Sequence, residues 1–137
     1  MMNKQIILQN DIGQVPLLAQ FVDEVCETIG LDMATTMQLN LAIEEAVVNV
    51  MNYAYPQGTV GDVCIEARSD DKELEFIISD SGKPFDPTAK DEVDTTLSAE
   101  ERSIGGLGIH LVRTIMDAVD YERSNDKNIL MLRKRLV

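Results

Sequence analysis

Residues 33–53, MATTMQLNLAIEEAVVNVMNY, form the longest helical pattern in the chain, opened by Asp32 as N-cap and closed by Pro56 and Gly58. The stretch is apolar nearly all the way round, so it is expected to be the central, most buried helix. A chain of 137 residues has room for one core around such a helix and not for two. One domain over residues 1–137 is the expectation.

The other segments supply the layers around it. Residues 5–9 predict a short strand, and 15–29 a helix with Leu18, Phe21, Val22, Val25 and Ile29 on its apolar face, Pro16 in its first turn and Gly30 at its end. Residues 60–68 and 74–79 are rich in β-branched and aromatic residues and flank a polar turn, so they predict a hairpin. Between 84 and 103 the periodicity dissolves into two prolines, several Ser and Thr, and six acidic residues against Lys90 and Arg102. A connection of that length inside a compact domain suits a functional lid or a disordered segment. A helix over 107–116 and strands over 119–123 and 128–133 complete the order β, α, α, β, β, lid, α, β, β. Hairpin pairing with helices gathered on one face predicts an α+β, two-layer sandwich, with a mixed but mostly antiparallel sheet and about three helices.

Composition removes several functional classes. A formal charge of −12 opposes binding to a nucleic-acid backbone or an anionic membrane surface. No apolar run is long enough to cross a bilayer, and the N-terminal MMNKQIILQN lacks a secretory pattern, so a cytoplasmic location is expected. Cys26 and Cys64 lie far apart without a metal-ligand spacing, which favours reduced thiols over a zinc site or a disulfide. An acidic chain that binds phosphate must do so locally, through backbone amides, a metal and one or two cations.

Three segments carry candidate chemistry. On the central helix, Glu45, Asn49 and Asn52 fall at i, i+4 and i+7, placing a carboxylate and two amides on one stripe among apolar neighbours. Such a stripe suits a lined cavity better than a solvated face: the carboxylate can take a proton, and the amide oxygen one turn on can ligate Mg²⁺. Asp80 ends the apolar run LEFIISD and leads into Ser81, Gly82, Lys83 and Pro84. By itself DSGKP reads first as a surface turn, although an Asp at a strand mouth can accept from a ligand amine while Gly82 lets the ligand approach the backbone. Gly105, Gly106 and Gly108, with Leu107 between them, precede a helical pattern, where backbone amides can curl around an anion. A hinge explains the glycines equally well. Arg102 is the nearest cation to such an anion, while His110 and the run Arg133, Lys134, Arg135 suit solvated positions.

The ordered set AIEEAVVN, SDSGKPFDP and GGLGIHLV resembles the Bergerat-fold ATPases, which include gyrase, heat-shock chaperones, histidine kinases and mismatch-repair ATPases. Within that superfamily the chain is most similar to the anti-sigma-factor serine kinases, through the EEAVxN phrasing and the DSGxPFDP form. The resemblance implies ATP and Mg²⁺ as cofactors, with Glu45 the general base, Asn49 the metal ligand, Asp80 the acceptor for the adenine amino group and Gly82 part of the adenine pocket. It makes 84–103 an ATP lid and sets Arg102, Gly105, Gly106, Leu107 and Gly108 at the phosphates. Two positions depart from the superfamily's pattern: Pro84 replaces a second Gly, and Asn128 with Ile129 occupies the strand where a Thr often helps hold adenine.

The implied function is a protein serine kinase that phosphorylates a Ser on a small antagonist protein, sequesters a sigma factor and pairs as a homodimer. The alternative is a non-catalytic switch that uses ATP only to set its conformation. A histidine-kinase fragment suits the chain less well, with its single His, and a topoisomerase or repair ATPase would need further domains.

Overall fold

The computed structural model describes residues 2–89 and 104–136, with the side chains of 89 and 104–108 left aside. Among these residues five strands and three α-helices alternate as β1 (Met2–Gln9), α1 (Val15–Ile29), α2 (Met33–Tyr53), β2 (Asp62–Ser69), β3 (Glu73–Asp80), α3 (Ile104–Ile115), β4 (Ala118–Ser124) and β5 (Lys127–Arg135). The sheet order is β1-β2-β3-β5-β4, and every pairing is antiparallel, where a mixed sheet was expected. The two-layer α+β architecture stands as expected, with α2 packed against both α1 and α3.

Local chemistry sets the boundaries. Asp32 accepts from the backbone N–H of Thr35 at 2.8 Å and starts α2 at the position its sequence indicates. Gly30 stops α1 in the left-handed region at φ 78°, a conformation glycine adopts without strain. Asp70 caps the β2–β3 turn by accepting from the N–H groups of Lys72 and Glu73. The β4–β5 turn is Asn125-Asp126, both at positive φ, which matches the right-handed twist of a two-residue hairpin.

Alternation then builds the core. Val63, Ile65 and Ala67 of β2, Leu74, Phe76 and Ile78 of β3, and Leu130 and Leu132 of β5 are all buried under the helices. The central helix is less uniformly buried than its composition suggests. Its C-terminal half is largely buried, with Glu44 and Asn52 exposed, but Met33, Met37 and Leu41, one turn apart, are 79%, 67% and 46% exposed. The helix layer is a single helix deep, so the side of α2 that neither the sheet nor its neighbours cover meets solvent despite being apolar.

Three further expectations change. The helix expected over 107–116 begins at Ile104, so Gly105, Gly106 and Gly108 lie in its first turns and not in a loop before it. The first helical N–H groups have no intrahelical partner, which makes glycine there less disruptive than in a helix interior. The loop expected over 84–103 opens with a tethered segment: a single 3-10 turn spans Pro87–Ala89, and Asp86 accepts from the N–H of Thr88. Residues 90–103 fall outside the described part. The basic run near the C-terminus is not simply solvated, because Arg133 pairs with Asp120 at 2.9 Å and Lys134 donates to the carbonyl of Ile115 at the end of α3.

Candidate functional site

The inward-facing row of β3 runs Leu74, Phe76, Ile78 and ends on Asp80, while that of β5 begins on Asn128 and continues through Leu130 and Leu132. Register puts Asp80 directly opposite Asn128, so two polar side chains meet at one end of an otherwise apolar surface. They are 4% and 3% exposed. Burial on this scale demands hydrogen bonds, and most are present. Asp80 Oδ1 accepts from Asn128 Nδ2 at 2.9 Å and from the N–H of Gly82 at 2.8 Å. Asp80 Oδ2 is buried and has no hydrogen-bond partner among the described residues.

That orphaned oxygen is the site's most informative atom. An unsatisfied buried acceptor is costly, and beside a glycine turn it is suited to take a donor from a bound molecule. Burial raises the Asp80 carboxyl above its ordinary value, against the hydrogen bonds from Asn128 and Gly82 and the charge of Arg123.

The turn after Asp80 is fixed from three sides. The N–H of Lys83 donates to the carbonyl of Ala54, at the end of α2, at 2.8 Å. Arg123 of β4 donates to the carbonyl of Gly82 at 2.9 Å. The buried Tyr55 hydroxyl donates to the carbonyl of Asp62 at 2.6 Å and accepts from the N–H of Ser81 at 3.0 Å. Gly82 sits so close to α2 that a Cβ would lie 2.2 Å from the Ala54 oxygen. Glycine is therefore required here by close approach, whatever its ligand role.

This contact brings the second motif to the first. Asn49 precedes Ala54 by five residues, about 7.5 Å along the helix axis. Asn49 is 2% exposed, and its Nδ2 has no hydrogen-bond partner among the described residues, giving a second buried polar atom whose donor capacity is unmet. Glu45, one turn earlier, is half-buried, whereas Asn52 is exposed and lines a different cleft with Gln9, Asn10 and Thr59. The stripe thus divides: Glu45 and Asn49 stay together, and Asn52 leaves them. Among the described residues no three His, Cys, Asp or Glu side chains gather to hold a metal. A Mg²⁺ at Asn49 would therefore take most of its ligands from phosphates and water, as this ion commonly does.

The profile of the family described as "Histidine kinase-like ATPase domain" matches residues 8–134, nearly the whole chain. The chain belongs to that family. Among curated relatives it is 30% identical to the serine-protein kinase RsbW of Listeria monocytogenes over 111 residues, covering 78% of this chain and 71% of that one. It is 28% identical to RsbW of Bacillus subtilis over 111 residues, covering 78% and 69%. The serine/threonine-protein kinase BtrW of Bordetella bronchiseptica is 30% identical over 94 residues, covering 69% and 66%. Among solved structures, the RsbU and RsbW domains of Rv1364c from Mycobacterium tuberculosis superpose with a TM-score of 0.70 at 15% identity, over 98% of this chain and 32% of that one. The chain spans about a third of that longer protein. The histidine kinase domain from Erythrobacter litoralis EL346 gives 0.59 at 13% identity, over 91% and 60%. At such identities these two support the fold alone.

Within this ATPase domain, Asp80 and Gly82 meet the end of α2 at Ala54, with Asn49 five residues back along that helix and Glu45 one turn beyond it. Gly105, Gly106, Leu107 and Gly108 have their backbone in α3, which packs on α2. Arg102 lies outside the described residues. His110 is exposed, as expected of a bystander. Two contributors escaped the sequence reading: Tyr55, and Asn128 as the partner of Asp80. The period-two phase 128, 130, 132 marks Asn128 as an inward polar residue, but no sequence signal marks Tyr55.

Proposed function

We propose that this domain is an ATP-dependent protein serine kinase of the anti-sigma-factor type. It would transfer the γ-phosphoryl group to a Ser of a small antagonist protein and sequester a sigma factor, working in the cytoplasm as a homodimer. The observation that carries the nucleotide part is the unpartnered Asp80 Oδ2, buried beside a glycine turn in a member of an ATPase family. The relatives named as serine-protein kinases support the transfer step.

In this reading the Asp80 oxygen accepts from the adenine amino group, and Gly82 lets the base lie against the backbone. Asn49 would hold Mg²⁺, whose charge would offset that building on the transferring phosphoryl group. Glu45, one helical turn away, would take the proton of the attacking Ser hydroxyl. Arg102 and the backbone of Gly105, Gly106, Leu107 and Gly108 would face the phosphates, since the first amides of a helix are unpaired and lie at its positive end.

The test is a pull-down from the native cell with and without Mg-ATP, with mass spectrometry for phosphoserine on the co-purifying protein. The expected result is one phosphoserine with wild type and at least a 100-fold slower transfer with Glu45→Ala, at an unchanged ATP affinity. A protein that binds ATP and exchanges partners normally as Glu45→Ala is a conformational switch and not a kinase.

A further inference from the structure

Asn128 uses all of its hydrogen-bonding capacity inside the protein. Its Nδ2 donates to Asp80 Oδ1 at 2.9 Å and to the carbonyl of Lys83 at 2.8 Å. Its Oδ1 accepts from the N–H of Phe85 at 3.0 Å and from the hydroxyl of Tyr121. An amide side chain has two donors and two acceptor sites, so nothing is left for a ligand. Two of the partners are main-chain groups whose roles cannot be exchanged: the Phe85 N–H only donates and the Lys83 carbonyl only accepts. These two settle which way the amide points, and the outcome is that Nδ2 must face Asp80.

We infer that Asn128 is a positioning residue for base recognition: it commits Asp80 Oδ1 to the protein and thereby presents Oδ2 as the acceptor for the exocyclic amine of the base. The inference rests on the reading that Asp80 meets adenine, and deepens it by naming what aims the carboxylate. Without the Asn128 donor, the carboxylate is free to rotate and its Oδ1 keeps only the Gly82 N–H. The same amide grips Lys83 and Phe85, so the carboxylate and the turn beside it are held in one frame. The phenyl ring of Phe85 in turn lies 5.7 Å from the ring of Tyr53 on α2.

The experiment compares two probes, ATP and purine riboside triphosphate, which lacks the 6-amino group, by calorimetric titration of wild type, Asn128→Ala and Asn128→Leu. Asn128→Leu keeps the side-chain volume approximately while removing both donors and adds no second carboxylate beside Asp80, so it serves where Asn128→Ala leaves a cavity and fails to fold. Wild type is expected to prefer ATP by about 10-fold or more, the range of a hydrogen bond to a charged group. In folded variants that preference is expected to fall to within about 3-fold, while affinity for the analogue changes little, because its phosphate contacts are untouched. A folded variant that keeps the wild-type preference overturns the inference. So does an equal loss of affinity for both probes, which is what a purely structural role produces. Wild type that binds ATP and the analogue equally refutes the role of Asp80, and wild type that binds neither refutes the nucleotide reading together with this inference.

Discussion

Replacing Gly82 by alanine tests the close approach between the DSG turn and α2. The added Cβ would sit 2.2 Å from the Ala54 carbonyl oxygen and 2.7 Å from its carbon. Non-bonded heavy atoms are comfortable at about 3.5 Å, so the turn has to withdraw by roughly 1 Å. The obstacle is main chain at the end of a packed helix, which cannot rotate aside as a side chain can. Withdrawal of this size breaks the 2.8 Å bond from the Lys83 N–H to Ala54, worth about 1 kcal/mol, and overpacking adds about 1–3 kcal/mol. Together these give a destabilisation of about 2–4 kcal/mol. For a domain of this size that lowers Tm by about 8–16 °C. Urea denaturation followed by far-UV circular dichroism measures the first quantity and a thermal scan the second. Gly58 supplies the control: it has positive φ, at 86°, but open space around its Cβ position, so Gly58→Ala carries only the backbone penalty of about 1–2 kcal/mol and leaves ATP affinity intact. A Gly82→Ala protein within about 0.5 kcal/mol of wild type would refute the claim that steric approach fixes this glycine.

Two further substitutions probe the same corner. Burial raises the folded-state pKa of Asp80, so this group favours folding most below the unfolded value of about 3.9, and that contribution is lost as pH rises through the folded value. Asp80→Asn should therefore be more stable than wild type at neutral pH by chemical denaturation, with the gap closing on acidification, while ATP binding weakens by at least about 10-fold; lower stability than wild type at pH 7 contradicts it. Tyr55→Phe removes the hydroxyl that joins Asp62 to Ser81, leaving a part-buried N–H and a carbonyl unpaired, and is expected to cost about 1–3 kcal/mol in urea unfolding. An unchanged midpoint would show that water replaces the hydroxyl.

Helix boundaries were legible where side-chain chemistry writes them. Asp32 and Gly30 mark their caps in sequence, so α1 and α2 begin and end where expected. The start of α3 was not, because low helix propensity at Gly105, Gly106 and Gly108 argues for loop, while tertiary packing on α2 overrides it. Met33, Met37 and Leu41 mislead in the opposite direction: hydropathy states what a side chain prefers, not whether a neighbour arrives to cover it. Of the site, Glu45, Asn49, Asp80 and Gly82 were visible as motifs. Their joining was not, because β3 and β5 are separated by 46 residues of chain, and the register that sets Asp80 against Asn128 is a tertiary fact.

The non-sequential pairing of β3 with β5 also bears on the glycines of α3. Chain leaving Asp80 returns to the sheet at Ala118, which opposes Arg133 on β5. Asn128 and Arg133 are five residues apart on one strand, about 17 Å at the rise of an antiparallel pair. The return point therefore lies at the far end of the sheet from Asp80. Lys134 fastens the C-terminus of α3 there, through the Ile115 carbonyl. A helix of 12 residues is about 18 Å long, close to the distance that must be recovered. A helix of that length running back from the fastening has the reach to bring Gly105, Gly106 and Gly108 towards the end of the sheet that holds Asp80. On that ground we propose that the glycines serve an anion site and not a hinge, which would need only flexibility and no helix start near Asp80. A net charge of −12 would then be compatible with a polyphosphate ligand, because attraction comes from oriented backbone groups rather than from surplus cations.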